Sequence, residues 1–410
     1  MSAPNAETVQ VRCCIVGGGP AGMVLGYLLA RAGIEVLVLE KHADFLMDFR
    51  GDTIHPSTLE VMHELGLLEE FLKRPHQEVS RVRAVIGDTP VTLADLSHLP
   101  THCKFIALMP QWDFLDFLAD HAKQYPNFSL RMQAEATDLI RTNGRVAGVR
   151  AETPQGCLEV RADLVIGADG RHSIIREQAG LAVTDIGAPM DVLWMRVSRK
   201  EDDPDQLLGR VAAARMFVMI DRGTYWQCAY VIPKGSIDEV RQRGLEAFRQ
   251  DVAQLAPFLG DRVEELRDWS DIKLLTVAVD RLGRWWQPGL LCIGDAAHAM
   301  SPIGGIGINL AIQDAVASAN LLAQPLRDGQ PGPDDLGRVQ ARREFPTRMT
   351  QGLQVFLQNQ LIRRVLSSKK TIEPPLFLRM ISRFPLLQRI PARVLGLGFR
   401  PEHVHPEIFR

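Results

Sequence analysis

The sequence predicts an α/β (α+β mixed) fold: a parallel sheet crossed by helices, an inserted antiparallel sheet and a C-terminal helical region. Three observations carry that reading. Residues 11–41 read as strand, glycine turn, helix, strand. Stretches 163–177 and 290–323 each run an apolar strand through a glycine turn into a helix. Runs of alternating polar and apolar residues lie between those two stretches. A chain of 410 residues suits two intertwined domains better than one core.

The first element is VRCCIVGGGPAGMVLGYLLARAGIEVLVLEK. Residues 11–16 are continuously apolar, as in a strand buried on both faces, and residues 21–32 follow with helical spacing. Gly17, Gly19 and Gly22 form G-x-G-x-x-G, and Glu40 ends the next strand. This is a dinucleotide-binding arrangement on a Rossmann-like unit. The glycines allow the turn, the approach of a pyrophosphate and close helix packing, while the acid holds a ribose hydroxyl. The helix N-terminus adds positive potential where the phosphates lie. The motif alone does not separate NAD from FAD.

DLVIGADGRHSIIRE (163–177) turns at Asp169-Gly170, with Ser173 a plausible helix cap. LLCIGDAAHAMSPIGGIGINLAIQDAVASANLLA (290–323) ends a short strand at Gly294-Asp295 and starts a helix near 308 after Pro302, Gly304, Gly305 and Gly307. Asp295 sits at the carboxyl end of a strand, where open α/β sheets place ligands. Uncovered backbone N–H groups and a positive helix end suit a ring that gains negative charge on reduction, which a flavin does and a nicotinamide does not.

The three motifs, GGGPAG, GADGRHSIIRE and GDAAHAMSPIGGIGIN, resemble those of the FAD-dependent aromatic hydroxylases, the single-component flavoprotein monooxygenases related to p-hydroxybenzoate hydroxylase. The likeness is dense in the motifs and looser over roughly 10–330. It implies an enzyme that holds FAD without a covalent link, takes electrons transiently from NADH or NADPH, and hydroxylates an aromatic or phenolic small molecule with O2 through a C4a-hydroperoxyflavin. It also implies roles for single residues. Gly17, Gly19, Gly22, Glu40 and Lys41 would serve the ADP half of FAD, and Arg50 would reach the pyrophosphate side. Gln111 would stand near the flavin, and Asp169 would serve both FAD and the nicotinamide donor. Asp295 would hold the pyrophosphate or ribityl side. Pro302 would lie beside the flavin ring, with the backbone of Gly307, Ile308 and Asn309 at its pyrimidine edge and Gly305 also on the cofactor.

The expected organisation is an FAD-binding domain from 1–75, 105–180 and 281–330, a roof-sheet substrate domain from 76–104 and 181–280, and a helical region over 331–410. Runs at 191–199, 214–221 and 225–235 alternate as a half-exposed antiparallel sheet does, and 238–256 reads as a helix. Tyr225, Trp226 and Met219 are candidates for the substrate pocket, with plain core the competing reading. His55 could face the active site. His298 reads better as a packed histidine than as a catalytic one.

Composition excludes several classes. With 46% hydrophobic and 23% charged residues and a net charge of −2, the chain has no global attraction to nucleic acid. Its six cysteines form no C-x-x-C pair, which fits a reducing, cytoplasmic setting without disulfides and without a metal site. The first residues lack a secretory apolar core, and no run of about 18 apolar residues is evident, so no membrane span is expected. Residues 341–410 carry thirteen Lys or Arg against four acids, either a solvated basic face on packed helices or a peripheral membrane contact. Two other flavin activities stay open: a reductase or dehydrogenase of a lipophilic substrate, and a halogenase, although no W-x-W-x-I-P element occurs.

Overall fold

The computed structural model describes residues 7–45, 53–204, 209–368 and 372–409. β1 (Glu7–Val16) passes through a glycine turn into α1 (Pro20–Arg31) and β2 (Val36–Leu39). The chain crosses to a hairpin, β3 (Arg81–Ile86) and β4 (Thr89–Asp95). It returns through α2 (Gln111–Ala122), β5 (Phe128–Arg131) and β6 (Gly156–Gly167) to α3 (Ile174–Gln178). A second excursion holds β7 (Met190–Ser198), β8 (Arg210–Ala212), β9 (Arg215–Asp221), β10 (Tyr225–Pro233), α4 (Leu245–Leu255) and β11 (Lys273–Leu275). β12 (Leu290–Cys292) and α5 (Ile306–Asp328) rejoin the first sheet. The helices α6 (Pro333–Leu357), α7 (Leu376–Arg383) and α8 (Pro385–Leu397) follow. Other elements, among them the hairpin Glu135–Thr142 with Arg145–Thr153 and the helix Pro56–Glu64, carry no label.

The first sheet has the parallel order β12–β6–β1–β2–β5. Cys13, Cys14 and Ile15 of β1 have no exposed surface, as the continuous apolar run requires of a central strand covered on both faces. α5 packs along α1, and its small residues Ala311, Ala315, Ser318 and Ala319 are buried. Against the sequence expectation, residues Ile303–Asp328 are long and apolar enough to cross a membrane, but 72% of their most apolar window is buried inside the chain. That apolarity reflects a core helix.

The second sheet has the order β11–β7–β10–β9–β8–β3–β4, so strands from both excursions share it. It is two-sided. Leu193, Met195, Phe217, Met219, Trp226 and Cys228 pack with Phe248 and Val252 of α4. The opposite face presents Val192, Trp194, Met216, Val218, Ala229 and Val231 toward the first sheet. Under the packed face, the Arg262 guanidinium donates to both carboxylate oxygens of Asp203 at 2.7 and 2.6 Å, and Trp226 Nε1 donates to the same group at 2.7 Å. The helix expected over 238–256 is broken: Gly244, at φ +88°, separates Ile237–Gln242 from α4. α7 and α8 pack on β4 and close one side of the space between the sheets.

Candidate functional site

Three neighbouring parallel strands end in register. Val16 of β1 pairs with Gly167 of β6, and Gly167 pairs with Cys292 of β12. All three glycine motifs therefore emerge side by side at the carboxyl edge of one sheet. Backbone bonds join them, from Ala168 N to Val16 O at 2.8 Å and from Ile293 N to Gly167 O at 2.9 Å. At Gly17 a side chain is excluded twice. Its φ is +106°, and a Cβ would lie 2.3 Å from the Ala168 oxygen. A Cβ on Gly22 would stand 1.9 Å from the Gly17 oxygen, so this glycine packs the helix and does not line the cavity. Gly19 faces open space as the N-cap of α1, where no side chain caps the first N–H groups. Those donors are left for an anion.

Around this edge, Glu40 is buried and accepts from Gly18 N at 2.8 Å and from His42 N at 3.0 Å. His42 Nδ1 also lies 2.5 Å from Oε1, so the lone pair still free for a ribose hydroxyl is on Oε2, the oxygen that accepts from Gly18 N. Lys41 lines the cavity, as does Gln111, the first residue of α2. Asp169 lines it too, and its carboxylate accepts from Ser173 Oγ at 2.6 Å and from Ile175 N at 3.1 Å. Burial pushes its pKa up, against the pull of these bonds. Ser173 caps α3 by accepting from Arg176 N at 3.0 Å. Asp295 lies 3.6 Å from the Arg171 guanidinium, and both face the cavity. Arg171, His172 and His42 were missed in the sequence because they hide beside motif residues. Arg50 lies outside the described residues.

The loop from Met300 to Ile308 forms the third side, with Pro302 at its bend and Gly305, Gly307 and Ile308 on the cavity. Gly305 has φ +62°, and a Cβ there would fall 2.0 Å from Thr53 Oγ1, which donates to the Gly305 oxygen at 2.9 Å. The expectation for Asn309 concerned its backbone; its side chain is turned away from the cavity and ties the loop to the segment 53–58. Its Oδ1 accepts from His55 N and Thr58 Oγ1, both at 2.8 Å, and its Nδ2 donates to Thr53 O at 2.9 Å.

Two expected catalytic residues do not reach the cavity. His55 is buried beneath the loop, where Nδ1 donates to the Leu395 carbonyl at 2.7 Å, and burial lowers its pKa to about 4. It is a neutral strut, because burial disfavours its charge more than the carbonyls of Leu395 and Gly304 favour it. Tyr225 sits at the start of β10 with the Arg196 guanidinium 5.0 Å from its ring centre, outside the cavity lining. Trp226 and Met219 point into the opposite core, since side chains alternate along a strand and these take the wrong parity.

Behind the floor lies a buried charge network. Asp314 of α5 accepts from Gly294 N at 3.1 Å, His298 Nε2 at 2.6 Å and Arg343 Nε at 2.8 Å. Arg343 continues to Glu402 at 3.1 Å, and Glu402 N donates to Gln313. Burial alone would raise the Asp314 pKa, but His298 and Arg343 together hold it below the ordinary value. His298 is thus a packed, hydrogen-bonded residue. The sequence signal was Asp314 itself, an acid inside an apolar helix.

Floor and roof enclose a cavity of about 2120 Å³, well above the roughly 300–1,000 Å³ of ordinary ligand pockets. One half is backbone N–H groups, glycines and acids. The other half is apolar and includes α7 and α8, which no sequence motif announced. The polar half fits FAD: a glycine cradle, uncapped N–H donors on α1, a buried ribose-binding acid, and a second uncapped helix start at Gly305.

Residues 10–351 match the family described as FAD binding domain. The chain is 29% identical to 6-methylpretetramide 4-monooxygenase of Streptomyces rimosus over 408 residues, covering 99% of this chain and 97% of that protein. It is 25% identical to para-nitrophenol 4-monooxygenase of Pseudomonas sp. strain WBC-3, covering 77% and 78% of the two chains. Among solved structures, p-nitrophenol 4-monooxygenase PnpA of Pseudomonas putida DLL-E4 superposes with a TM-score of 0.74 at 19% identity, covering 94% of this chain and 97% of that one.

Proposed function

Because the chain belongs to the FAD binding domain family, we propose that it is an FAD-dependent monooxygenase that hydroxylates a large, lipophilic aromatic or phenolic molecule at the junction of glycine floor and apolar roof. One observation carries the reading: three motifs far apart in sequence end in register on adjacent strands beneath one roofed cavity. When bound, FAD supplies the redox chemistry, accepting a hydride from NADH or NADPH and activating O2 for transfer to an electron-rich ring.

The chain's own residues supply position and environment. The N–H groups at the start of α1 bind the pyrophosphate, and the Glu40 carboxylate accepts from a ribose hydroxyl. Asp295, steadied by Arg171, accepts from polyol hydroxyls at the end of β12. Backbone N–H groups of Gly307 and Ile308, at the positive end of α5, stabilise negative charge on the ring system. Pro302 keeps the bend between floor and roof rigid. Val192, Val218, Ala229 and Val231 exclude water from the reacting face. None of these four side chains is an acid or base; the titratable groups on the cavity include Asp295 and His172 on the floor and Glu373 just before α7.

The test is NADH and NADPH oxidation over a panel of phenols, quinolones and aromatic polyketides, with O2 uptake and product mass followed together. A product carrying one added oxygen, with matching O2 uptake, supports the proposal. Substrate saturation without O2 uptake would assign the site to a reductase, and halide-dependent product to a halogenase.

A further inference from the structure

We propose that the outer face of α7 and α8 seats on an anionic lipid surface and opens the cavity toward it, so that a lipophilic substrate enters from the bilayer. The route into the cavity rests on the monooxygenase reading; the lipid contact does not.

The sequence of this face is unusual. From Pro374 to Pro401 it has five arginines and no acid. The arginines fall in a fixed relation to exposed apolar side chains. On α7, Leu376 and Met380 stand one turn apart, Phe384 follows directly at the helix end, and Arg379, which pairs with Glu373, and Arg383 form the adjoining row. On α8, Leu386 and Ile390 repeat the spacing, with Arg389 and Arg393 partly alongside. Residues four apart stack on one helix face, so each helix presents an apolar stripe edged by cations. Leu376 is 75% exposed, Leu386 68% and Ile390 65%. Buried positions such as Leu378 and Ala392 hold the helices to β4 and leave this face outward.

The stripe is continuous with the site. Leu376 and Ile390 are both surface residues and cavity-lining residues, so the apolar stripe reaches the cavity at these two side chains, with Glu373 at its edge. At 8 and 13 residues, α7 and α8 are too short to cross a bilayer and can only lie on one.

Charge selects the occupant. A second copy across a two-fold axis would bring the same arginine rows toward each other. An acidic protein would answer the arginines but not the protruding leucines and phenylalanine. An anionic leaflet answers both, with headgroups for the cations and hydrocarbon for the stripe.

The experiment is co-sedimentation of the FAD-loaded full-length protein with vesicles of phosphatidylcholine alone and of equal parts phosphatidylcholine and phosphatidylglycerol. Two double variants accompany it, Phe384→Ser with Leu386→Ser, and Arg383→Glu with Arg389→Glu. None of these four side chains lines the cavity, so flavin content and turnover of a water-soluble phenol should be unchanged and report intact folding. The expected result is pelleting with the anionic vesicles, at least about tenfold weaker with neutral ones and with either variant. Wild-type protein that stays in the supernatant with both vesicles, or variants that pellet as well as wild type, would overturn the proposal. Self-association in light scattering, or saturable binding of an acidic carrier protein, that a variant abolishes while no vesicle pelleting occurs, would overturn it too. Flavin content and NAD(P)H oxidation read the monooxygenase assignment separately.

Discussion

The floor and the roof of the cavity are built by opposite means. The floor is backbone: strand ends in register, turns that exclude a Cβ, and helix starts without side-chain caps. The roof is side chains: one face of a sheet and the inward faces of two late helices, mostly apolar, with Arg83 and Glu373 among them. Floor geometry tolerates little substitution because backbone atoms touch one another. Roof positions meet only flexible side chains and empty space, so they can vary in size without moving the floor. A cofactor shared by many chemistries belongs on the first kind of surface, and a substrate particular to one enzyme on the second.

The two buried ion pairs offer the sharpest way to break this comparison. Arg343→Met strips a partner from Asp314 and Glu402 beneath the floor, and Arg262→Met strips Asp203 beneath the roof. Each should lower unfolding free energy by about 3–5 kcal/mol in denaturant titration, since an uncompensated buried charge remains. Only Arg343→Met should also weaken FAD, because Asp314 holds the Gly294 N–H of the floor turn. Equal effects of the two variants on FAD would erase the distinction.

Gly22→Ala tests the floor directly. Its Cβ would overlap the Gly17 oxygen at 1.9 Å. FAD titration of the apoprotein should show roughly 100-fold weaker binding, about 2.8 kcal/mol. Binding within a factor of two of wild type would show that the turn can relax.

His55 links floor stability to pH. Its native pKa of about 4 lies below the ordinary 6.5. Between those values the unfolded chain takes up a proton that the native chain refuses, so stability is lost as pH falls. The loss should reach on the order of 3 kcal/mol by pH 4. Above pH 6.5 the residue contributes no slope. His55→Gln, compared with wild type by thermal unfolding across this window, should flatten the acid side of the profile.

The smallest expected effect concerns the roof. Val231→Phe adds bulk to the apolar half and should raise the substrate KM about tenfold, roughly 1.4 kcal/mol, with FAD affinity unchanged. A parallel loss of flavin would mean that floor and roof are mechanically one.

The same contrast explains what the sequence made legible. Gly17, Gly22, Asp169 and Asp295 could be placed because the backbone at strand ends admits few residue types. The roof sheet was readable as a sheet from its alternation, yet the inward parity was not. Met219 and Trp226 are candidates by residue type and place in the strand, and only the packing of α4 decides that their face is core and the face of Val218 and Ala229 lines the cavity. His55 was read by proximity to a motif, whereas tertiary partners, the Leu395 carbonyl and its own N–H bond to Asn309, turn it into a strut. The wall contributed by α7 and α8 had no local signature, because its contacts with β4 span almost three hundred residues.

The most direct measurement is the visible spectrum of the purified chain after incubation with FAD and gel filtration, run beside Asp295→Ala. The expected result is flavin absorbance co-eluting with the wild type and sharply reduced in the variant. A colourless wild type, or a variant that keeps its full flavin and activity, would contradict the claim that these converging turns hold the cofactor.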